Sequence, residues 1–172
     1  MMPNAPDASD FRYSTADWAE RERLAIFRER IGRMMVKLDP APLMKKLAEK
    51  GARLALPCIN ARGQSLTFRS WSPQDRLMLG PLGIPEPSPA AAEVHPDVML
   101  VPLAAFDKLG HRIGYGAGYY DYTFAHLRKA KHVIGVGIAF AAQETKAIPA
   151  LSHDVPLDYV LTERKTFDFR SS

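Results

Sequence analysis

The segment 97-DVMLVPLAAFDKLGHRIGYGAGYYDYTFAHLRKA-130 places an apolar run, a glycine-rich loop and a helical pattern in direct succession. Residues 97–106 are almost wholly apolar, which predicts a strand that is buried on both faces. Beyond the loop, Tyr120, Phe124 and Leu127 recur at three- and four-residue steps, which predicts a helix with one apolar side. Buried strands that alternate with helices are typical of α/β folds with parallel sheets.

The rest of the chain repeats this alternation. The class predicted from it is a single α/β domain over residues 14–172, with a largely parallel central sheet flanked by helices, after a disordered lead at residues 1–13. The pattern predicts helices at 16–36, 38–51 and 72–79, strands at 53–58, 65–71, 132–140 and 156–163, and a loop at 81–96.

Composition excludes several classes of protein. The chain has 172 residues, 47% of them hydrophobic, and no apolar run approaches the roughly 18 residues of a membrane span. A single cysteine and the absence of a secretory pattern at the N-terminus predict a cytoplasmic location. The net charge is +4, but acidic residues interrupt the basic ones, as in 21-RERLAIFRERIGR-33. We therefore expect a small polyanionic ligand, with no nucleic-acid or membrane partner. The oligomeric state stays open.

The loop 112-RIGYGAGYYD-121 suits a phosphate group. Glycines ahead of a helix expose backbone N–H groups at the positive end of the helix dipole. Arg112 can bind phosphate through two hydrogen bonds, and Asp121 fits beside phosphate when Mg²⁺ lies between them. The alternative is a tight turn whose glycines only supply a positive φ. The spacing matches neither the dinucleotide-binding motif nor the P-loop.

The same region resembles the signature of a known enzyme family. Residues 101–121, VPLAAFDKLGHRIGYGAGYYD, are similar to the motif of the 5-formyltetrahydrofolate cyclo-ligase family, also called methenyltetrahydrofolate synthetases. Three further segments resemble the family in the same order: LDPAPLMKKLAEKGARLALP, LTFRSWSPQDRLMLGPLGIPEP and SHDVPLDYVLTE. The resemblance covers about residues 38–164.

This resemblance implies a fold of the NagB/RpiA/CoA-transferase group and an ATP- and Mg²⁺-dependent ligase of one-carbon folate metabolism. In the implied reaction, ATP phosphorylates the formyl oxygen of 5-formyltetrahydrofolate. The N10 nitrogen then attacks the activated carbon, and phosphate leaves to give 5,10-methenyltetrahydrofolate. The implied partners are ATP and a reduced folate, with magnesium as the metal.

The resemblance also implies site residues. Arg112 and Tyr120 would take part in catalysis, Asp121 and Asp154 would bind Mg²⁺, and a loop of six residues would hold the triphosphate. That loop comprises Gly114, Tyr115, Gly116, Ala117, Gly118 and Tyr119. Phe68 and Trp71 form either a platform for the pterin ring, together with Tyr120, or plain core. Tyr120 is also a core candidate, because of its helical spacing with Phe124.

The front of the chain departs from the family pattern. Family members carry an early basic helix that reaches ATP, and here Arg23, Arg28 and Arg30 are the candidates without a decisive register. A strand and helix that follow in the family are missing or shortened here, and Lys37 stands where the family has a glutamate that contacts folate. The alternative to an active ligase is thus a family-derived protein that binds ATP, folate or both without turnover.

Overall fold

The computed structural model describes residues 19–26, 38–115 and 117–170. The predictions for residues 1–13 and for Lys37 lie outside the described residues. Of the predicted helix 16–36, the described part, residues 19–26, is helical. Within the described ranges, no helix is both long enough and apolar enough to cross a membrane.

The described helices and strands alternate less regularly than predicted, because eight strands lie between the second and the third helix. The helices are α1 (residues 19–26), α2 (Ala41–Glu49) and α3 (Tyr119–Leu127), with a short 3₁₀ helix at Ala141–Gln143. The strands are β1 (Ala55–Cys58), β2 (Thr67–Ser70), β3 (Leu77–Leu79), β4 (Pro85–Pro87), β5 (Glu93–Val94), β6 (Val98–Pro102), β7 (Ala105–Phe106), β8 (Arg112–Ile113), β9 (Ile134–Ile138), β10 (Tyr159–Leu161) and β11 (Thr166–Asp168).

The larger sheet has four strands in the order β11-β10-β9-β6. β9 runs parallel to both β6 and β10, with Leu100 opposite Val136 and Val160 opposite Gly137. β11 closes the far edge as an antiparallel strand. The crossover from β6 to β9 contains α3, as expected for two parallel neighbours, which need a long connection.

The smaller sheet has three antiparallel strands in the order β1-β2-β5, and two hairpins, β3–β4 and β7–β8, complete the pairing. The prediction of one largely parallel sheet is therefore too broad. Parallel pairing between named strands is confined to β6, β9 and β10, and both parallel pairs are joined by long crossovers. β1 and β6 are each the terminal strand of their own sheet, so the larger and the smaller sheet are separate, as are the two hairpins.

Three local predictions are wrong. Residues 72–79 do not form a helix: the Asp75 carboxylate accepts hydrogen bonds from the N–H and hydroxyl of Ser72, which closes a single turn before β3. The segment 81–96 is not loop throughout, since it contains β4 and β5. β10 is followed by one more strand, β11, because the turn at Thr162 sends the chain back antiparallel.

The core joins both sheets to α3. Met99 and Val101 of β6 pack with Phe124 of α3, and Phe124 has no exposed surface. Leu66 and Phe68, from the smaller sheet, belong to the same cluster. Because α3 shares this core, its first turn is held in a fixed place relative to β2 and β6.

Candidate active site

The hairpin β7–β8 carries Arg112, and the Asp107 carboxylate shapes it. Asp107 is 1% exposed and accepts hydrogen bonds from the N–H groups of Leu109 (2.9 Å), His111 (3.0 Å) and Ile148 (2.9 Å). A carboxylate that folds back on its own backbone in this way stabilises a turn. The bond to Ile148 also ties this hairpin to the segment that leads to Asp154.

The Arg112 guanidinium is buried and bonds to two parts of the site. Its Nη2 donates to Asp121 Oδ1 at 2.8 Å, and its Nη1 donates to the carbonyl oxygen of Val155 at 2.6 Å. The N–H of Val155 donates in turn to Asp121 Oδ1 at 3.1 Å. The loop that contains Asp154 and Val155 therefore lies directly against the first turn of α3.

A second ion pair comes from α1. Arg23 Nη1 donates to Asp154 Oδ2 at 2.5 Å and to the carbonyl oxygen of Pro149 at 3.0 Å. Arg23 Nη2 donates to the carbonyl oxygen of Arg112 at 3.2 Å. Among the basic residues of the N-terminal helix, Arg23 is thus brought to the candidate site, whereas Arg28 and Arg30 lie outside the described residues.

We call Arg23, Arg112, Asp121 and Asp154 the charge cluster. Burial lowers the pKa of Arg112, and the carboxylates of Asp121 and Asp154 partly oppose that shift. Two cations and two anions leave the cluster formally neutral, so its members are compensated in a place where isolated charges would be costly. A polyanion bound here could replace the carboxylates as the partner of both guanidinium groups. The two carboxylates could then bind a cation.

The glycine loop ends in the N-terminus of α3. Gly118 is the N-cap residue with φ 66°, a left-handed conformation that glycine adopts without strain. No side chain among the described residues caps this helix, which leaves the N–H groups of its first turn to an anion. A Cβ at Gly114 would meet no atom within 4 Å, and Ala117 is half-buried. Gly116 lies outside the described residues.

The three tyrosines of the loop occupy different surroundings. Tyr115 is 43% exposed, and its hydroxyl donates to the carbonyl oxygen of Leu103 at 3.3 Å. Tyr119 and Tyr120 are partly buried and pack against the core cluster. Both interpretations of Tyr120 are therefore compatible with its place, because a residue in the first turn of α3 can contact the core and still lie beside Asp121.

Burial raises the pKa of Tyr120 to about 12, against the opposing influence of Arg112. The folded protein then holds the phenolic proton more tightly than the unfolded chain, whose tyrosines titrate near pH 10. This contribution of Tyr120 to stability is fully present below about pH 10. We expect the free energy of unfolding to fall by about 2 kcal/mol between about pH 10 and pH 12. Urea denaturation of wild type and Tyr120→Phe over this range measures it; equal losses in both proteins would contradict the assignment.

Phe68 and Trp71 are not brought to the charge cluster. Phe68 is 8% exposed and belongs to the core. Trp71 lies beyond the far end of β2, about 16 Å along the chain from Leu66, at 3.3 Å a residue. Its ring lines a cavity of about 260 Å³ beside the end of α2, and its indole nitrogen is buried without a hydrogen-bond partner among the described residues.

Asp121 and Asp154 could hold a metal together with a bound phosphate. Among residues 19–26, 38–115 and 117–170, no three histidine, cysteine, aspartate or glutamate side chains are grouped to hold a metal ion. Magnesium is commonly held by one or two carboxylates and completes its shell with water and substrate phosphates. Two neighbouring carboxylates beside an open helix N-terminus therefore fit magnesium that arrives with a phosphate ligand.

Sequence reasoning missed one residue of this region. Thr123 is fully buried, and its hydroxyl accepts a hydrogen bond from the N–H of Leu66 at 2.9 Å. A threonine inside an otherwise apolar helix face was the available signal.

Comparison with known proteins identifies the family of this chain. The sequence profile of the 5-formyltetrahydrofolate cyclo-ligase family matches residues 19–163. The 5-formyltetrahydrofolate cyclo-ligase of Escherichia coli (strain K12) is 34% identical over 138 residues, which are 77% of this chain and 75% of that relative. The protein of the same name from Mycolicibacterium smegmatis is 36% identical over 131 residues, or 72% of this chain and 66% of that relative.

Two solved structures have a similar fold. The 5,10-methenyltetrahydrofolate synthetase of Aquifex aeolicus superposes with a TM-score of 0.65 and covers 90% of this chain and 94% of its own, at 23% identity. The synthetase of Mycoplasma pneumoniae gives 0.52, with 92% and 91% covered, at 18% identity. Since the profile spans most of the sequence and the Escherichia coli relative aligns over 75% of its own length, the chain belongs to the 5-formyltetrahydrofolate cyclo-ligase family.

Proposed function

We propose that this chain converts 5-formyltetrahydrofolate to 5,10-methenyltetrahydrofolate with ATP as the second substrate. The observation that supports this most is the charge cluster: two partly buried arginine–aspartate pairs near the N-terminus of α3. Phosphoryl transfer depends on charge neutralisation and alignment more than on a nucleophilic side chain. Two arginines and an open helix terminus supply that neutralisation.

The triphosphate would lie on the first turn of α3 and on the loop of residues 114–119. Arg112 and Arg23 would exchange their carboxylate partners for phosphate oxygens, which they can bind through two parallel hydrogen bonds. Arg23 then serves as the basic contact that the N-terminal helix contributes. Tyr120, kept neutral by its raised pKa, can donate a hydrogen bond but cannot act as a base near neutral pH.

Magnesium would be held by Asp121 and Asp154 once the arginines have turned to phosphate. When bound, the metal would supply positive charge that offsets the negative charge of the phosphates. The chain's own part is to keep both carboxylates in place through the N–H groups of Val155 and Leu151, which donate to Asp121 and Asp154.

The reduced folate would bind on the side of the smaller sheet, whose strand β2 begins next to α3. Phe68 is left out of this proposal as a direct contact because it is buried in the core. The place of Trp71 in the substrate site, the NagB/RpiA/CoA-transferase relationship and the cytoplasmic location stay predictions.

The direct test mixes the purified protein with 5-formyltetrahydrofolate, ATP and Mg²⁺ and follows the methenyl chromophore in the near ultraviolet. We expect turnover that requires all three components. Calorimetry of ATP binding runs in parallel. ATP binding without a chromophore would overturn the ligase assignment and favour the alternative, a binding protein of this family.

Replacing Arg23 should weaken the binding of ATP but not the binding of folate. A charge-assisted hydrogen bond contributes about 1.5–3 kcal/mol, and each 1.4 kcal/mol is a factor of ten. Arg23→Ala should therefore raise the KM for ATP by about 10- to 100-fold and leave the KM for folate within about threefold. Steady-state kinetics with each substrate varied in turn measure both. Arg21→Ala, on an exposed position of the same helix, serves as the control; an equal effect there would contradict a specific role for Arg23.

A further inference from the structure

Thr123 connects the first turn of α3, which carries Asp121, to the start of β2 through one buried hydroxyl. The side chain lies in α3, two residues after Asp121, and has no exposed surface. Its Oγ1 donates to the carbonyl oxygen of Tyr119 at 2.6 Å and accepts from the N–H of Leu66 at 2.9 Å. One hydroxyl thus bonds to the first turn of α3 and to the residue that precedes β2.

The two bonds use the hydroxyl's one donor hydrogen and one of its acceptor lone pairs. Leu66 is itself 8% exposed, so its N–H has no ready access to water as a replacement partner. A buried N–H left unpaired is costly, and the chain would shift to avoid it. Loss of the hydroxyl would therefore change the spacing between β2 and α3 rather than leave both in place.

That spacing matters for the charge cluster because Asp121 sits in the same helical turn as Tyr119. Asp121 is held on one side by Arg112 of β8 and by the N–H of Val155. Thr123 ties the same helix to Leu66, next to β2 of the smaller sheet. The first turn of α3 is thus fixed both to the charge cluster and to the smaller sheet.

We propose that Thr123 is a positioning residue that sets the distance between the charge cluster and the smaller sheet. This inference rests on the proposed function, in which ATP binds at the cluster and the folate binds beside β2. Its hydroxyl would keep the formyl oxygen and the terminal phosphate in reach of each other without touching either substrate. A misplacement of about 1 Å between reacting groups can cost about a hundredfold in rate.

Two variants separate positioning from plain stability. Thr123→Val keeps the shape of the side chain and removes both hydrogen bonds, whereas Thr123→Ser keeps the hydroxyl. We expect Thr123→Val to lower kcat by about 10- to 100-fold, while the Kd for Mg·ATP measured by calorimetry stays within about threefold. Thr123→Ser should recover kcat to within about threefold. Assays are run well below the melting temperature of each variant, so that all molecules are folded.

Hydrogen exchange provides a readout that does not need turnover. A nonhydrolysable ATP analogue with Mg²⁺ should slow amide exchange around Leu66 in wild type and Thr123→Ser, but not in Thr123→Val. The proposal would be overturned if Thr123→Val had the wild-type kcat, or if Thr123→Ser were as slow as Thr123→Val. It would also be overturned if the nucleotide did not change the exchange rate at Leu66 in wild type. If the wild-type protein showed no turnover but its exchange at Leu66 still depended on the nucleotide, only the proposed function would be refuted. The connection between the charge cluster and the smaller sheet through Thr123 would then be supported.

Discussion

Asp121→Asn is expected to abolish most magnesium-dependent ATP binding and to lower kcat/KM by about a hundredfold or more. The amide keeps the size of the carboxylate and one acceptor oxygen, so Val155 N–H and Arg112 can still donate to it. It lacks the negative charge that a magnesium ion requires. Calorimetric titration with ATP in the presence and absence of Mg²⁺ measures the effect: the magnesium-dependent part should disappear.

The same change should also reduce stability. Arg112 is 7% exposed, and without the charge of Asp121 its guanidinium is only partly compensated. Removal of one member of a buried ion pair costs about 3 kcal/mol or more. Asp158→Asn is the matched control, since Asp158 accepts hydrogen bonds from Arg128 at 2.7 Å and from the N–H of Gly135 at 2.7 Å.

We expect Asp158→Asn to lower the free energy of unfolding while ATP binding remains at the wild-type level. If both variants lost ATP binding in proportion to their stability, Asp121 would have only a structural role. If Asp121→Asn bound Mg·ATP as wild type does, the magnesium assignment would fail.

Gly110→Ala should lower the free energy of unfolding by about 3 kcal/mol or more, from backbone strain and overlap together. Gly110 adopts φ 82°, a conformation that is unfavourable for alanine. An added Cβ would lie 2.8 Å from the carbonyl oxygen of Leu157 and 3.0 Å from the ring of Phe169. The Leu157 oxygen is backbone and cannot turn aside, so the β7–β8 hairpin itself would have to move.

Gly51→Ala isolates the backbone part of that cost. Gly51 has φ 90°, and a Cβ there would meet no atom within 4 Å. Its replacement should cost only about 1 kcal/mol. Urea denaturation of both variants measures the difference, and equal losses would show that the contact with Leu157 relaxes freely. Because the Gly110 turn shares Asp107 with the segment before Asp154, activity should fall in Gly110→Ala and stay unchanged in Gly51→Ala.

Local sequence patterns determined several of the secondary-structure elements and indicated the family. The apolar run before the glycine loop predicted β6, and the spacing of Phe124 and Leu127 predicted α3. The signature at residues 101–121 also indicated the family. These features depend on residues that are close in the chain, whose periodicity and side-chain bonds act within one or two turns.

Tertiary structure alone decided which distant residues meet. Arg23 and Asp154 are 131 positions apart, and nothing in the spacing of basic residues in 21–33 distinguishes Arg23 from its neighbours. Likewise, the division into two sheets and the bond from Leu66 to Thr123 depend on how β2, α3 and the parallel strands pack together. Each such contact needs a partner from another element, and long-range pairing of this kind leaves no periodic trace in the sequence of either partner.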